Sequence, residues 1–376
     1  MKKKDIGEYF AEVETTTEYN GYFFSVSAAI SISILGTFCG LRNMQQIHQW
    51  ASNDKIKKFL SENFGIENLV CYSWFTQVLG LIKPESFNAC FIKWVTESVN
   101  DVGGKTLSFD GKTVRSTGKM KKYKNPLHIV SAQIAELGIT FGQKAVDGKS
   151  NEIPAVRELM KLLDIKGCLI VADALNCQKE TAKAVVEAKA DYLLSVKENQ
   201  PNLMREIAEY VADDSLWKTM DKAQKKEKSR ERIEIRTAYT TCDIDWLFGK
   251  EEWANLACIG AINTQFETEN GKTNEWHYYI SSRKLTAEEL LCHARLEWSV
   301  ETMHWLLDVH FGEDFCRVAK QRTQENLNII RKIVINSLQV YKNSHNSKSA
   351  FSHLMLDCMI DPDRIFNYWK LLENQN

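Results

Sequence analysis

Two apolar runs that each close on an aspartate limit what this chain can fold into. Thr106-Leu-Ser-Phe-Asp-Gly-Lys-Thr-Val114 reads as a short strand ending in an Asp-Gly turn at Asp110. Cys168-Leu-Ile-Val-Ala-Asp-Ala-Leu-Asn176 repeats the pattern at Asp173. A carboxylate at the end of an apolar run must be solvated, paired or metal-bound. A third acid, Glu301, lies in Trp298-Ser-Val-Glu-Thr-Met-His-Trp-Leu-Leu-Asp308, which reads as an amphipathic helix. Glu297, His304 and Asp308 share its face by helical spacing, and Trp298, Val300, Leu306 and Leu307 supply the buried stripe. Two strand-end carboxylates and one on a late helix can converge on a single point. Oxygen donors without a thiolate suit Mg²⁺ or Mn²⁺. Two such ions can activate a nucleophile and stabilise the leaving oxygen of a phosphodiester.

The surrounding pattern predicts a mixed α/β sheet. Strands are expected at Leu107–Phe109, Leu127–Ala135 and Ile139–Val146, the last two joined by Glu136-Leu-Gly138. A helix over Ile153–Leu163, capped by Asn151, leads to a strand at Leu169–Ala172. Then come a helix over Lys179–Ala188, a strand at Tyr192–Val196, and a helix over Asn202–Val211 opened by Pro201. Three strands followed by alternating helices and strands describe a ribonuclease-H-like core, with a first part over 105–212. Residues 213–289 break the alternation: Lys218–Arg236 is charge-rich, and Ile233–Tyr239, Cys258–Gln265 and Trp276–Ser281 read as strands of a β-rich insertion. One helix is expected from Thr286 to Val309, with Thr286 and Glu289 forming a capping box. The core resumes over 290–342, including a helix at Leu327–Tyr341, and 343–376 form a helical tail. Residues 1–104 read as an N-terminal helical domain, with helices over Met44–Leu60 and Glu85–Val99.

Bulk properties narrow the class. A net charge of -1 over 376 residues is unlike a general nucleic-acid coat, so DNA binding must rest on local basic patches. The ten cysteines form no Cys-x-x-Cys pair and sit mostly in apolar runs. They fit reduced core residues of a cytoplasmic protein, and argue against a zinc finger or a disulfide scaffold. Tyr22–Leu41 carries no charge and could span a bilayer by length, but its serines and glycines favour a buried helix. No membrane association is expected. Walker-type, dinucleotide and Gly-x-Ser-x-Gly motifs are absent, so no nucleotide cofactor is indicated.

At this point the chain resembles a family. Asp110-Gly-Lys112, Lys149-Ser-Asn-Glu-Ile153, Ala172-Asp-Ala-Leu-Asn-Cys-Gln178, Lys197-Glu-Asn-Gln200 and Glu301-Thr-Met-His-Trp-Leu-Leu-Asp-Val309 occur in this order. Together they look like the H-repeat-associated, ISAs-type insertion-sequence transposases of the Asp-Asp-Glu class. The resemblance is strongest over 105–320. It implies that Asp110, Asp173 and Glu301 are catalytic and hold two Mg²⁺ ions, with Mn²⁺ as a substitute. It implies cleavage of element-end DNA and strand transfer into target DNA, and double-stranded DNA as the partner, with a homodimer expected in that complex. Many relatives carry histidine where Glu297 stands and asparagine where Thr302 stands.

Several side chains are candidate DNA contacts: Lys112, Arg115, Lys149, Asn151, Asn176, Gln178, Lys197, Asn199, His304 and Trp305. Asn176 can equally orient Asp173 or cap the helix that follows. Two basic runs, Lys119-Met-Lys-Lys-Tyr-Lys124 and Lys225 to Arg232, are candidate phosphate-binding patches. The alternatives are a structure-specific nuclease without strand transfer and an inactive transposase-derived DNA-binding protein.

Overall fold

The computed structural model describes residues 6–19, 23–99, 101–118, 126–146, 151–229, 232–268, 271–318 and 320–369. Lys149, the run Lys119–Lys124, Arg230 and Tyr22 lie outside the described residues.

The N-terminal region is helical: α1 (Ile6–Tyr9), α2 (Val26–Phe38), α3 (Met44–Ala51), α4 (Asp54–Phe64), α5 (Tyr72–Leu81) and α6 (Pro84–Val99). The uncharged stretch becomes α2, buried continuously from Ala29 to Phe38. Its hydroxyls cause no penalty, because Ser33 and Thr37 donate to the carbonyls of Ala29 and Ser33 at 2.7 and 2.6 Å. No helix among the described residues is long and apolar enough to cross a membrane. The single helix expected over Met44–Leu60 is two. Asn53 breaks it, its side chain accepting from the Lys55 amide at 3.0 Å to cap α4.

The sheet follows: β1 (Thr106–Val114), a short α7 (Arg115–Gly118), β2 (Leu127–Ile134), β3 (Ile139–Ala145), α8 (Glu152–Leu162), β4 (Leu169–Ala172), α9 (Lys179–Glu187), β5 (Asp191–Val196) and α10 (Pro201–Ala212). The insertion supplies β6 (Asp221–Ser229), β7 (Arg232–Thr241), β8 (Cys258–Thr268) and β9 (Gly271–Ser281). The chain then forms α11 (Ala287–Leu296), α12 (Ser299–Val309), α13 (Gln321–Ser344), α14 (Phe351–Ile360) and α15 (Ile365–Trp369). The described strands form one nine-stranded sheet in the order β3-β2-β1-β4-β5-β9-β8-β7-β6. β1, β2 and β3 pair antiparallel, while β4 and β5 run parallel to β1. That order and those directions are the ribonuclease-H-like arrangement the pattern predicted. The insertion extends this sheet through the β5–β9 pairing.

Three expectations change. The first strand does not stop at an Asp-Gly turn. β2 pairs with β1 from Leu107↔Ile134 to Val114↔Leu127, so Asp110 and Gly111 lie inside the ladder. The segment Asp221–Ser229, which the sequence showed only as charge-rich, is the edge strand β6; lysines suit an edge, where they discourage pairing with another chain. The helix expected over Thr286–Val309 is two. The capping box of Thr286 and Glu289 is present, but three-residue bonds from Trp298 to Arg295 and from Glu301 to Trp298 tighten the chain between α11 and α12.

At the other edge, β3 meets two asparagines. Asn336 of α13 accepts from the Thr140 amide and donates to its carbonyl, at 2.8 and 2.7 Å. Asn88 of α6 does the same at Gln143, at 3.2 and 2.8 Å. Each side chain substitutes for a missing strand. α13 is buried along most of its length and packs on α2, α6 and β3. Apolar residues of the N-terminal helices and of the sheet therefore belong to one continuous core.

Gly111 is needed for packing. A Cβ there would lie 2.3 Å from both the Glu152 carboxylate and the His128 ring, which contact each other at 3.1 Å behind β1. Gly111→Ala should cost about 1–3 kcal/mol through overpacking, and adding Glu152→Ala should recover part of it. Thermal unfolding of both variants measures this; an undisturbed single variant would refute the close packing.

Candidate active site

The first two acids are neighbours by register. β1 and β4 are parallel with Phe109 opposite Ala172, and the next residue of each chain is Asp110 or Asp173. Adjacent strands lie about 4.8 Å apart, so the two backbones leave the parallel ladder side by side. Asp173 caps the short turn Ala174–Asn176, its carboxylate accepting from the Asn176 amide at 3.2 Å and from the Asn176 side chain at 3.0 Å. Burial raises the Asp173 pKa, the Asn176 bonds oppose that, and Glu152 and Asp110 add to it.

Alternate residues of β1 meet the helices in order. Thr106 contacts His293 of α11 at 2.8 Å, and Ser108 contacts Ser299 of α12 at 3.1 Å. Asp110 lies 3.4 Å from His304, and Lys112 donates to Asp308 at 2.5 Å. Glu301 is on the same face of α12 by spacing, one turn from Glu297 and just before His304. It is exposed and lines a groove of about 990 Å³ between α11–α12 and the insertion strands, with Lys197, Glu297, Trp298 and Trp305. Among the described residues, no three His, Cys, Asp or Glu side chains gather closely enough to form a ready metal cage. Glu297 and Glu301 line the groove, while Asp110 meets α12 through His304.

The donor set fits a hard cation. Burial pushes the Glu297 pKa up to about 7; Asp173, Asp110 and Glu301 add to this, and Lys197 opposes it. Acidic charge here is in excess, as a site for a divalent ion requires. Because the folded pKa is raised, the cost of ionising Glu297 is absent below the ordinary value of 4.5 and complete above about 7. Without divalent cations, Glu297→Gln should therefore raise the Tm by a few degrees at pH 8 and leave it unchanged at pH 4. Equal shifts at both pH values would show that this charge is not strained.

The other candidates divide. Lys197 is exposed at the groove and Trp305 projects from it. Arg115 is exposed beside Asp314, 3.7 Å away, and Asn151 takes the N-cap position of α8. Asn176 is fully buried and orients Asp173, so its side chain is not offered to a phosphate. Gln178 donates to the Leu175 carbonyl, and Asn199 to that of Ala174, both tying the loop after Asp173. Lys112 is a strut: 13% exposed, it holds Asp308 and the buried Glu313. The patch from Lys225 onward is split by strand alternation. Lys225 pairs with Arg236 on the groove face, while Lys226 and Lys228 point to the opposite face.

Some residues at the site were not found by sequence. Lys332 is buried, donating to Ser131 and Gln143 at 2.7 and 2.8 Å, and Ser131 is the register partner of Asp110. Burial lowers its pKa to about 7. Arg236 and Arg295 reach across the groove wall to Glu227 and Glu234. No local pattern signals these contacts, since each joins segments distant in sequence.

A ribonuclease-H-like sheet with aspartates on adjacent central strands and a glutamate-bearing helix against them defines the polynucleotidyl-transferase class. Residues 101–337 match the family model described as Transposase DDE domain, and residues 7–95 match one described as DDE_Tnp_1-associated. The chain is 32% identical over 325 residues to the Escherichia coli (strain K12) protein named "H repeat-associated putative transposase YhhI", covering 83% of this chain and 84% of that one. It is 28% identical over 354 residues to "Putative transposase YncI" of Escherichia coli O157:H7, covering 90% and 88%. A piggyBac transposase synaptic complex with hairpin DNA aligns over 99% of this chain and 78% of its own at a TM-score of 0.44 and 11% identity. This chain belongs to the DDE transposase family.

Proposed function

We propose that this transposase of an insertion sequence cuts the phosphodiester at its element ends and joins the freed ends to target DNA. Asp110, Asp173 and Glu301 are the catalytic acids and hold two divalent ions, Mg²⁺ or Mn²⁺. Bound there, the ions would activate the attacking oxygen and stabilise the leaving one. Water attacks the phosphodiester and breaks its P–O3′ bond, freeing a 3′-hydroxyl and leaving a 5′-phosphate; that hydroxyl then attacks a target phosphodiester, and the target's own 3′-oxygen leaves as a hydroxyl. Asn176 orients the Asp173 carboxylate, and His304 faces Asp110. Lys197 and Trp305 meet the DNA in the groove, while Lys112 holds β1 to α12 from below. The working form is a homodimer on double-stranded DNA in the cytoplasm.

The observation that carries this reading is the register of β1 and β4, which sets Asp110 beside Asp173 under the α12 face bearing Glu301. The test supplies precut element ends and a supercoiled plasmid with Mg²⁺ or Mn²⁺. Joined products support the proposal. Nicking without joining would make the protein a nuclease, and binding with neither would make it an inactive DNA-binding relative.

A further inference from the structure

A second cleft lies beyond the far end of α12, where the N-terminal helices meet the loop that follows the helix. It encloses about 690 Å³ and is lined by Arg42, Arg317 and Lys320, the start of α3, Tyr72 and Phe315. Among the described residues, no aspartate or glutamate lines it. Among the described residues, none of the three cations has a carboxylate partner. Arg317 and Lys320 are exposed, and Arg42 is positioned by donating to the Val309 carbonyl at 3.3 Å. α3 begins here, with Asn43 accepting from the Gln46 amide and Gln46 accepting from the Arg42 amide. The positive end of its backbone dipole adds to the same field. Phe315 stands 81% exposed at the rim.

Three unpaired cations around an apolar, amide-rich floor favour a polyanion that also carries flat apolar faces, which is the chemistry of a nucleic acid. The path from the acids supports this. Glu301 and Val309 are eight residues apart on α12, about 12 Å of helix, or roughly three to four base-pair steps of duplex. Trp305, Val309 and Phe315 are exposed along that path.

We propose that this cleft binds the phosphate backbone of the DNA running out of the active site, through Arg42, Arg317 and Lys320. The proposal rests on the function stated above. It gives the N-terminal region a direct part in holding DNA.

The test measures fluorescence anisotropy of a 30-base-pair duplex of arbitrary sequence across a range of NaCl concentrations. The variant carries Arg42→Gln, Arg317→Gln and Lys320→Gln. A control removes three exposed lysines from the α8–α9 side: Lys161→Gln, Lys166→Gln and Lys183→Gln. Each lost phosphate contact should lower the slope of log K against log salt by about 0.9, so the triple variant should lose about 2.7, and on the order of 100-fold in affinity at ~0.15 M. The control should keep the wild-type slope. Should the triple variant not fold, Arg317→Gln alone must lose about 0.9. An unchanged slope, or an equal loss in the control, overturns the proposal. Mn²⁺-dependent plasmid nicking by the wild type is read in parallel. Nicking with an unchanged variant slope refutes the cleft alone; a wild type that neither binds nor nicks refutes the function as well.

Discussion

Replacing Asp173 by asparagine should reduce strand cleavage at least about a thousandfold, a barrier change of roughly 4 kcal/mol, while duplex affinity stays close to that of the wild type. The substitution keeps the shape that caps the turn after β4 and the contacts with Asn176. It removes the negative charge that a divalent ion needs. The position makes the effect large, because Asp173 stands beside Asp110 just past the end of the parallel β1–β4 pairing. Cleavage and binding must be measured on the same preparation. Near-normal cleavage with Mg²⁺ would remove Asp173 from the mechanism, and a matching loss of binding would show that the variant had disturbed the groove.

The second large effect lies below the site. Glu313 has no exposed surface, and its carboxylate takes Arg331 at 3.1 Å, Asn328 at 2.7 Å and Lys112 at 3.0 Å. Burial works to raise its pKa, but Arg331, Lys112 and Asn328 outweigh burial and hold it at about 2. For Lys112, burial works the other way, and Glu313 with Asp308 still leaves its pKa raised. Glu313→Gln leaves buried cations without their partner and should cost about 3–5 kcal/mol. Urea unfolding at pH 7 measures this as a lower midpoint at constant slope. The pH dependence has a definite sign. The folded pKa is depressed, so this contribution is complete above the ordinary value of 4.5 and fades as pH falls toward about 2. A difference below about 1 kcal/mol at pH 7 would show that this network carries little of the stability.

The sequence was most readable where a residue's role follows from its own neighbours. The strands leading to Asp110 and Asp173, the capping box at Thr286 and the α12 face that turns His304 and Asp308 toward β1 are local patterns, and the fold preserves them. Local propensity misled where a tertiary pairing overrode it. Asp110-Gly111 has the composition of a turn, yet β2 holds both residues in a ladder, and the glycine serves to admit Glu152 and His128. Lysine-rich β6 showed only as a charged run because an edge strand needs no continuous apolar pattern. Lys112 looked like a phosphate ligand because Asp308 and Glu313, which engage it, lie 196 and 201 residues later. The Lys332–Ser131 contact next to Asp110 was unreadable for the same reason.

The place of α13 has a consequence for how the chain is made. α2 is uncharged and buried on every side from Ala29 to Phe38, and its main packing partner is α13, near the other end of the chain. On the ribosome, Val26–Phe38 is synthesised early and stays without that cover until Gln321–Ser344 has emerged. At about 5–20 residues per second, that interval lasts on the order of tens of seconds. An exposed apolar helix is a liability over that time, so the nascent protein should depend on chaperones that shield such segments. The acids follow the same schedule: Asp110 and Asp173 emerge well before Glu301, and a chain interrupted between them would lack one acid of the proposed site.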